Sequence, residues 1–157
     1  MRPICSVRAA GHVTAFGFAI AIPVSGVGGE VGVNCPRIRW DRADFAPGLA
    51  FGYLRGQSEH GLAYQSFTFG PEFEVSPAGF DRFKVGAGAG IELVEFARAT
   101  NGGDIWFGNI QLNVRFTIDL VQMDRFALWL GAGARLGASL ENAELSLAPL
   151  AQLGLRI

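Results

Sequence analysis

The chain has 157 residues, 50% of them hydrophobic and only 17% charged, with 22 glycines, seven prolines and a formal net charge of −1. That length suits one domain, and the balanced charge excludes a polyanion-binding surface, so no nucleic-acid partner is expected. Mean hydropathy is +0.28, yet no stretch reaches the roughly 18 uninterrupted apolar residues of a spanning helix.

The opening stretch, residues 1–12, is read as a separate segment, either a remnant of a signal or disordered, and residues 13–157 as a single domain. Arg2 and Arg8 followed by the apolar run Val13–Val24 resemble a signal peptide, but "VTAFGFAIAIPVS" also alternates. Phe16, Phe18, Ile20, Ile22 and Val24 fall on one face against Ala15, Gly17, Ala19 and Ala21. Two-residue periodicity bounded by turn residues is the mark of a strand, so the stretch is taken as strand one, and a cleaved signal is not evident.

The same beat recurs along the chain. After a turn at "SGVGG", the run "EVGVNC" sets out Val31, Val33 and Cys35 before Pro36 interrupts it. "GLAFGYLRG" places Leu49, Phe51 and Tyr53 against Ala50, Gly52 and Leu54. "FTFGPEFEVSP" opposes Phe67, Phe69, Phe73 and Val75 to Thr68, Gly70, Glu72 and Glu74. In "FKVGAGAGIEL", Phe83, Val85, Ile91 and Leu93 alternate with Lys84, Gly86, Gly88, Gly90 and Glu92. Its Gly-x-Gly-x-Gly run lies mid-strand with no helix after it, which argues for close backbone approach over phosphate binding.

"NIQLNVRFTIDL" is the strictest case. Ile110, Leu112, Val114, Phe116, Ile118 and Leu120 form one face; Asn109, Gln111, Asn113, Arg115, Thr117 and Asp119 form the other. "FALWLGAGARLGASL" follows with Leu128, Leu130 and Leu136 against Trp129, Gly131, Gly133 and Arg135. The chain closes on "AELSLAPLAQLGLRI", with Ala143, Leu145, Leu147, Leu153, Leu155 and Ile157 opposing Glu144, Ser146, Gln152 and Arg156. Turn chemistry at "GQSEHG", "SPAGFD", "TNGGD", "QMDR" and "LENA" separates the strands.

Eight or so strands in up-and-down order make an all-β chain. The bulky face suits hydrocarbon and the small or polar face a narrow interior, since runs of about 10 to 14 residues match a tilted membrane-crossing strand of about 9 to 11. In hydrocarbon every backbone polar group must pair, so the sheet must close. The expectation is a closed antiparallel transmembrane β-barrel of about eight strands. Ile110, Leu112, Val114, Phe116, Ile118, Leu120, Leu128 and Leu130 are expected to face lipid. Glu72, Glu74, Lys84, Glu92, Arg115, Asp119, Arg135, Glu144 and Arg156 are expected to form a paired polar network in the lumen.

With these residues in place, the chain resembles the small outer-membrane β-barrel proteins of Gram-negative bacteria, the OmpA-like and OmpX-like group. Members usually end on a strand with an aromatic last residue, read by the barrel-assembly machinery. Leu153, Leu155 and Ile157 keep that phase, with Ile157 in place of the aromatic. The resemblance implies an outer-membrane location, outer-membrane lipids and the assembly machinery as partners, a monomer and no cofactor.

Other features carry less chemistry. Trp40, Tyr53, Tyr64 and Trp106 sit near strand ends, where aromatic girdles lie. Ser58, Glu59 and His60 stand together in "GQSEHG", but neighbours on one loop rarely meet the geometry of a nucleophile, base and orienter. An enzyme is not expected. His12 and His60 build no metal site, and Cys5 and Cys35 form no motif and are not expected to pair. Function is read as structural, anchoring or surface-interacting. A narrow ion or small-solute channel is the first alternative, and a soluble lipocalin-like barrel around an apolar ligand the second.

Overall fold

The computed structural model describes residues 5–19, 22–35, 38–97, 103–123, 126–141 and 144–157, with the backbone alone for residues 15, 16 and 18. These residues form β1 (Ser6–Ala19), β2 (Ile22–Asn34), β3 (Ile38–Trp40), β4 (Ala43–Ser58), β5 (Ala63–Pro77), β6 (Phe83–Ala97), β7 (Ile105–Gln122), β8 (Ala127–Ser139) and β9 (Leu145–Arg156). Every pairing is antiparallel, each long strand pairs with its neighbours in sequence, and β9 returns to pair with β1. Eight strands thus close an up-and-down barrel. The short β3 lies outside that ring, hairpinned onto the start of β4.

Because strand residues alternate faces, one phase fixes the interior of each strand. Arg8, His12 and Thr14 of β1, Glu30 of β2, Glu72 and Glu74 of β5, and Arg115, Thr117 and Asp119 of β7 are all buried. Their neighbours, among them Val7, Val31, Phe73 and Phe116, are exposed. Bulk is distributed across the ladder to make this possible. Arg8 stands opposite Gly32, Arg115 opposite Gly86 and Trp129 opposite Gly154. A Cβ on those glycines would come within 2.6 Å of Arg8 Nη2, 2.8 Å of Arg115 Nε and 2.5 Å of Trp129 Cζ2. Each large inward side chain therefore lies across a partner that has none.

The first two strands differ from the sequence reading. The barrel begins at Ser6, so residues 6–12 belong to it: Arg8, Ala10 and His12 keep the inward phase against Val7, Ala9 and Gly11. Residues 13–25 are not one strand. Ala19 pairs with Ile22, and "SGVGG" lies inside β2, bonded on both sides. Gly26 and Gly28 are there for close approach, since a Cβ would fall 2.6 Å from Arg55 O and 1.9 Å from Tyr53 O. A β-bulge between Thr14 and Gly17 shifts the register by one, so Gly17 and Ala19 face inward after it. Val24, assigned to the outer face from the pattern, is buried in the lumen, and Ile22 packs beside it. The outward positions expected for Phe16, Phe18, Ile20 and Ala143, and the interruption expected at Pro36, lie outside the described residues and side chains.

Candidate functional site

Among the described residues the lumen holds five buried cations, Arg8, Lys84, Arg115, Arg135 and Arg156, and five buried carboxylates, Glu30, Glu72, Glu74, Glu92 and Asp119. Eight of the ten form one chain of contacts. Arg8 Nη2 donates to both oxygens of Glu72 at 2.8 Å, and its Nη1 donates to Glu30. Arg115 Nη1 reaches Glu72 Oε2 at 2.8 Å and Glu30 Oε1 at 3.2 Å. Its Nη2 lies 3.9 Å from Glu74 Oε2. Arg156 then spans Glu74 and Asp119 at 2.9 Å each, and Lys84 donates to Asp119 and to the Asp81 carbonyl. Four cations meet four anions, so the buried charge cancels locally, which burial of such groups requires. The Arg8 guanidinium also lies 6.0 Å from the centre of the fully buried Trp129 ring.

Farther from β1's first residue the chemistry changes. Glu92 accepts from Asn109 Nδ2 at 3.0 Å. Arg135 is buried but makes no ion pair among the described residues, and its Nε and Nη1 have no protein partner there, nor has either nitrogen of His12. A void of about 10 Å³ beside Arg115, Arg135 and Gln152 has room for about one water. Beyond it Ala19, Val24, Leu54, Tyr64, Val94 and Phe96 form an apolar cluster, with Ile22, Leu62 and Phe107 packed against it. Tyr64 and Phe96 rings stand 5.4 Å apart, and Phe96 meets Phe107 edge-on at 6.4 Å. The lumen is thus filled by ions in one half and by hydrocarbon in the other.

The nine residues expected in the lumen divide accordingly. Glu72, Glu74, Lys84, Arg115, Asp119 and Arg156 meet in the network, and Glu92 and Arg135 are buried apart from it. Glu144 is corrected: it is exposed and lies just before β9, where its carbonyl accepts the Ser139 amide. The pattern over "AEL" extends one turn too far. Arg8 and Glu30, both central to the network, were not singled out from sequence. Their signal was present in the alternation of Arg8 with Val7 and of Glu30 with Val31.

On the outer face Ile110, Leu112, Val114, Phe116, Ile118, Leu120 and Leu130 are exposed, while Leu128 is half-buried. From Ile110 to Leu120 the ten-residue rise is about 34 Å along the strand, or about 26 Å for a tilt of about 40°. Leu153, Leu155 and Ile157 are exposed on the same surface. Toward the apolar half that surface turns polar: Tyr53 donates to Gln65 at 3.1 Å, and Gln65 donates to Glu95. Trp106 and Trp40 are exposed, but Tyr64, expected in a girdle, is buried in the lumen. Ser58 Oγ accepts the Leu62 amide at 3.1 Å, a turn-closing role, with Glu59 and His60 exposed. Among the described residues no group of three His, Cys, Asp or Glu side chains could hold a metal.

Neither a family model nor a curated protein matches the chain. Solved structures do. The crystal structure of Neisserial surface protein A has a TM-score of 0.66 at 15% identity, over 98% of this chain and 96% of that one. The N-terminal β-barrel domain of Pseudomonas aeruginosa OprF gives 0.61 at 12%, over 99% and 100%. Ail, the attachment invasion locus protein of Yersinia pestis, crystallised with the heparin analogue sucrose octasulfate, gives 0.59 at 8%, over all of both chains. The fold is that of the small eight-stranded outer-membrane barrels.

Proposed function

We propose that this chain is an integral outer-membrane barrel with a structural, anchoring or surface-interaction role, closed to diffusion. One observation carries the reading: an apolar exterior about 26 Å tall encloses a lumen in which eight of ten charges are buried and paired with one another. A soluble barrel needs the opposite distribution, with bulk inside and polarity outside. The outer-membrane location of the proteins that share the fold supports the same assignment. Ile110, Leu112, Val114, Phe116, Ile118, Leu120, Leu128 and Leu130 contact lipid in this reading, and Leu153, Leu155 and Ile157 present the signal to the assembly machinery. The barrel works as a monomer. It has no catalytic role, in keeping with the use of Ser58 to close a turn.

The test is electrophoresis of protein refolded into detergent micelles, boiled against unboiled, followed by planar-bilayer recording. A heat-sensitive mobility shift with no steady conductance is expected. A steady conductance would favour the narrow-channel alternative. A monodisperse protein in plain buffer with no shift would overturn the membrane reading. Altered lipid A masses in a strain overproducing the protein would overturn the non-catalytic one.

A further inference from the structure

The β1–β2 ladder starts at Ser6 opposite Asn34, followed by Val7 opposite Val33. One step outward, the same register sets Cys5 opposite Cys35. Hydrogen-bond alternation defines the type of pair. Val7 exchanges both its backbone bonds with Ile157, the residue just after β9, and the Cys35 amide donates to Pro47 on β4 at 2.6 Å. The odd-numbered backbone groups of β1 and β2 therefore point away from each other. Cys5 and Cys35 occupy a non-hydrogen-bonded antiparallel site, where Cα atoms stand about 4.5 Å apart. A disulfide needs about 4.4–6.8 Å. Both residues are exposed, so an oxidant can reach them. The pairing that spacing alone gave no reason to expect is supplied by the register.

We propose that Cys5 and Cys35 form a cross-strand disulfide that staples β1 to β2 beside the β1–β9 seam of the barrel. The oxidant is a disulfide of low molecular mass or of a thiol-exchange protein. One cysteine thiolate attacks it, giving a mixed disulfide and one released thiol. The second cysteine then displaces the other half, forming the Cys5 Sγ–Cys35 Sγ bond. Two electrons leave the cysteines, and the two protons they lose are taken up by the two thiols released. The staple fixes the row in which Val7 and Ile157 hold the seam together. This inference stands on strand register and is independent of the membrane reading.

The experiment equilibrates the micelle-folded barrel, and separately the chain in urea, with reduced and oxidised glutathione. Tryptic digests are then read by mass spectrometry. An intramolecular link between peptides 1–8 and 9–37 is expected, with an effective thiol concentration on the order of a hundredfold higher in the folded barrel than in urea. Equal values in the two states would overturn the proposal, as would glutathione adducts persisting on both cysteines or cross-linked dimers. A second protein, Cys5→Ser and Cys35→Ser with Val7→Cys and Val33→Cys, tests the next site of the same type. Closure there without closure of the native pair overturns the staple while showing that the barrel folded. Failure of both in a heat-shifting barrel overturns the register beneath it.

Discussion

The two halves of the lumen use the same inward phase for opposite chemistry. In one half four carboxylates and four cations pair with one another around Glu72 and Arg115. In the other, Tyr64, Val94, Phe96 and Leu54 exclude water by packing. An ionic filling is directional, because each charge is tolerated only while its partner stays. An apolar filling depends on volume alone. In the proposed closed barrel the seal is therefore double, and its two parts should fail differently.

The largest effect is expected in the ionic half. Glu72→Ala leaves Arg8 and Arg115 sharing Glu30, with one buried positive charge uncompensated. A loss of about 4 kcal/mol is expected, read as a lower urea midpoint for loss of the fast-migrating unboiled band. In the apolar half, Phe96→Ala removes a ring that touches Tyr64 and Phe107 and should cost about 3 kcal/mol. Its conductance should stay at the wild-type level because the ionic seal persists. Only a variant that breaks both halves should conduct. Conductance from Phe96→Ala alone would show that the ion network does not seal.

The two halves also differ in how much of them could be read from sequence. In "NIQLNVRFTIDL" a charge inside a hydrophobic alternation cannot share the apolar face, and Arg115 and Asp119 of that stretch are buried. Their partners were another matter. Arg8 meets Glu72 across 64 positions, a contact that depends on the barrel closing. The apolar half leaves no such mark. Val24 points inward, but as a valine among phenylalanines and isoleucines it matched the outer set, and the bulge after Thr14 that resets the phase has no turn residue to announce it. Tyr64 was drawn to a girdle by its place near a strand end, although its even number in β5 shares the phase of Glu72 and Glu74. Glycine misled once, when "SGVGG" imitated a turn while serving close contact between β2 and β4.

Arg135 sits between the two seals and tests where the ionic one ends. It is as buried as Arg115 but lies outside the chain of paired groups that Arg115 joins. A charge in that position stabilises little, because its desolvation is not offset by an ion pair. Arg135→Met keeps the side chain's length and removes the charge. It should cost no more than about 1 kcal/mol, well below Glu72→Ala in the same denaturation series. A loss as large as that of Glu72→Ala would place Arg135 inside the network and extend the ionic seal to Glu92.

The smallest effect comes from a pair that controls for geometry. Arg39 Nε lies 3.2 Å from Asp44 Oδ1, the same separation as Arg115 Nη1 from Glu30 Oε1. Only the surroundings differ: the Arg39 side chain is 86% exposed, against 6% for Arg115. Arg39 joins β3 to β4 outside the closed ring, so water competes for both charges and salt screens them. Arg39→Ala should change stability by less than about 0.5 kcal/mol, and raising the salt concentration should erase the difference. In Glu72→Ala the deficit should persist in the same salt, since ions do not enter a lumen packed this closely. If salt removed both deficits alike, the network would be solvated, and the closed lumen would have to give way to a hydrated path.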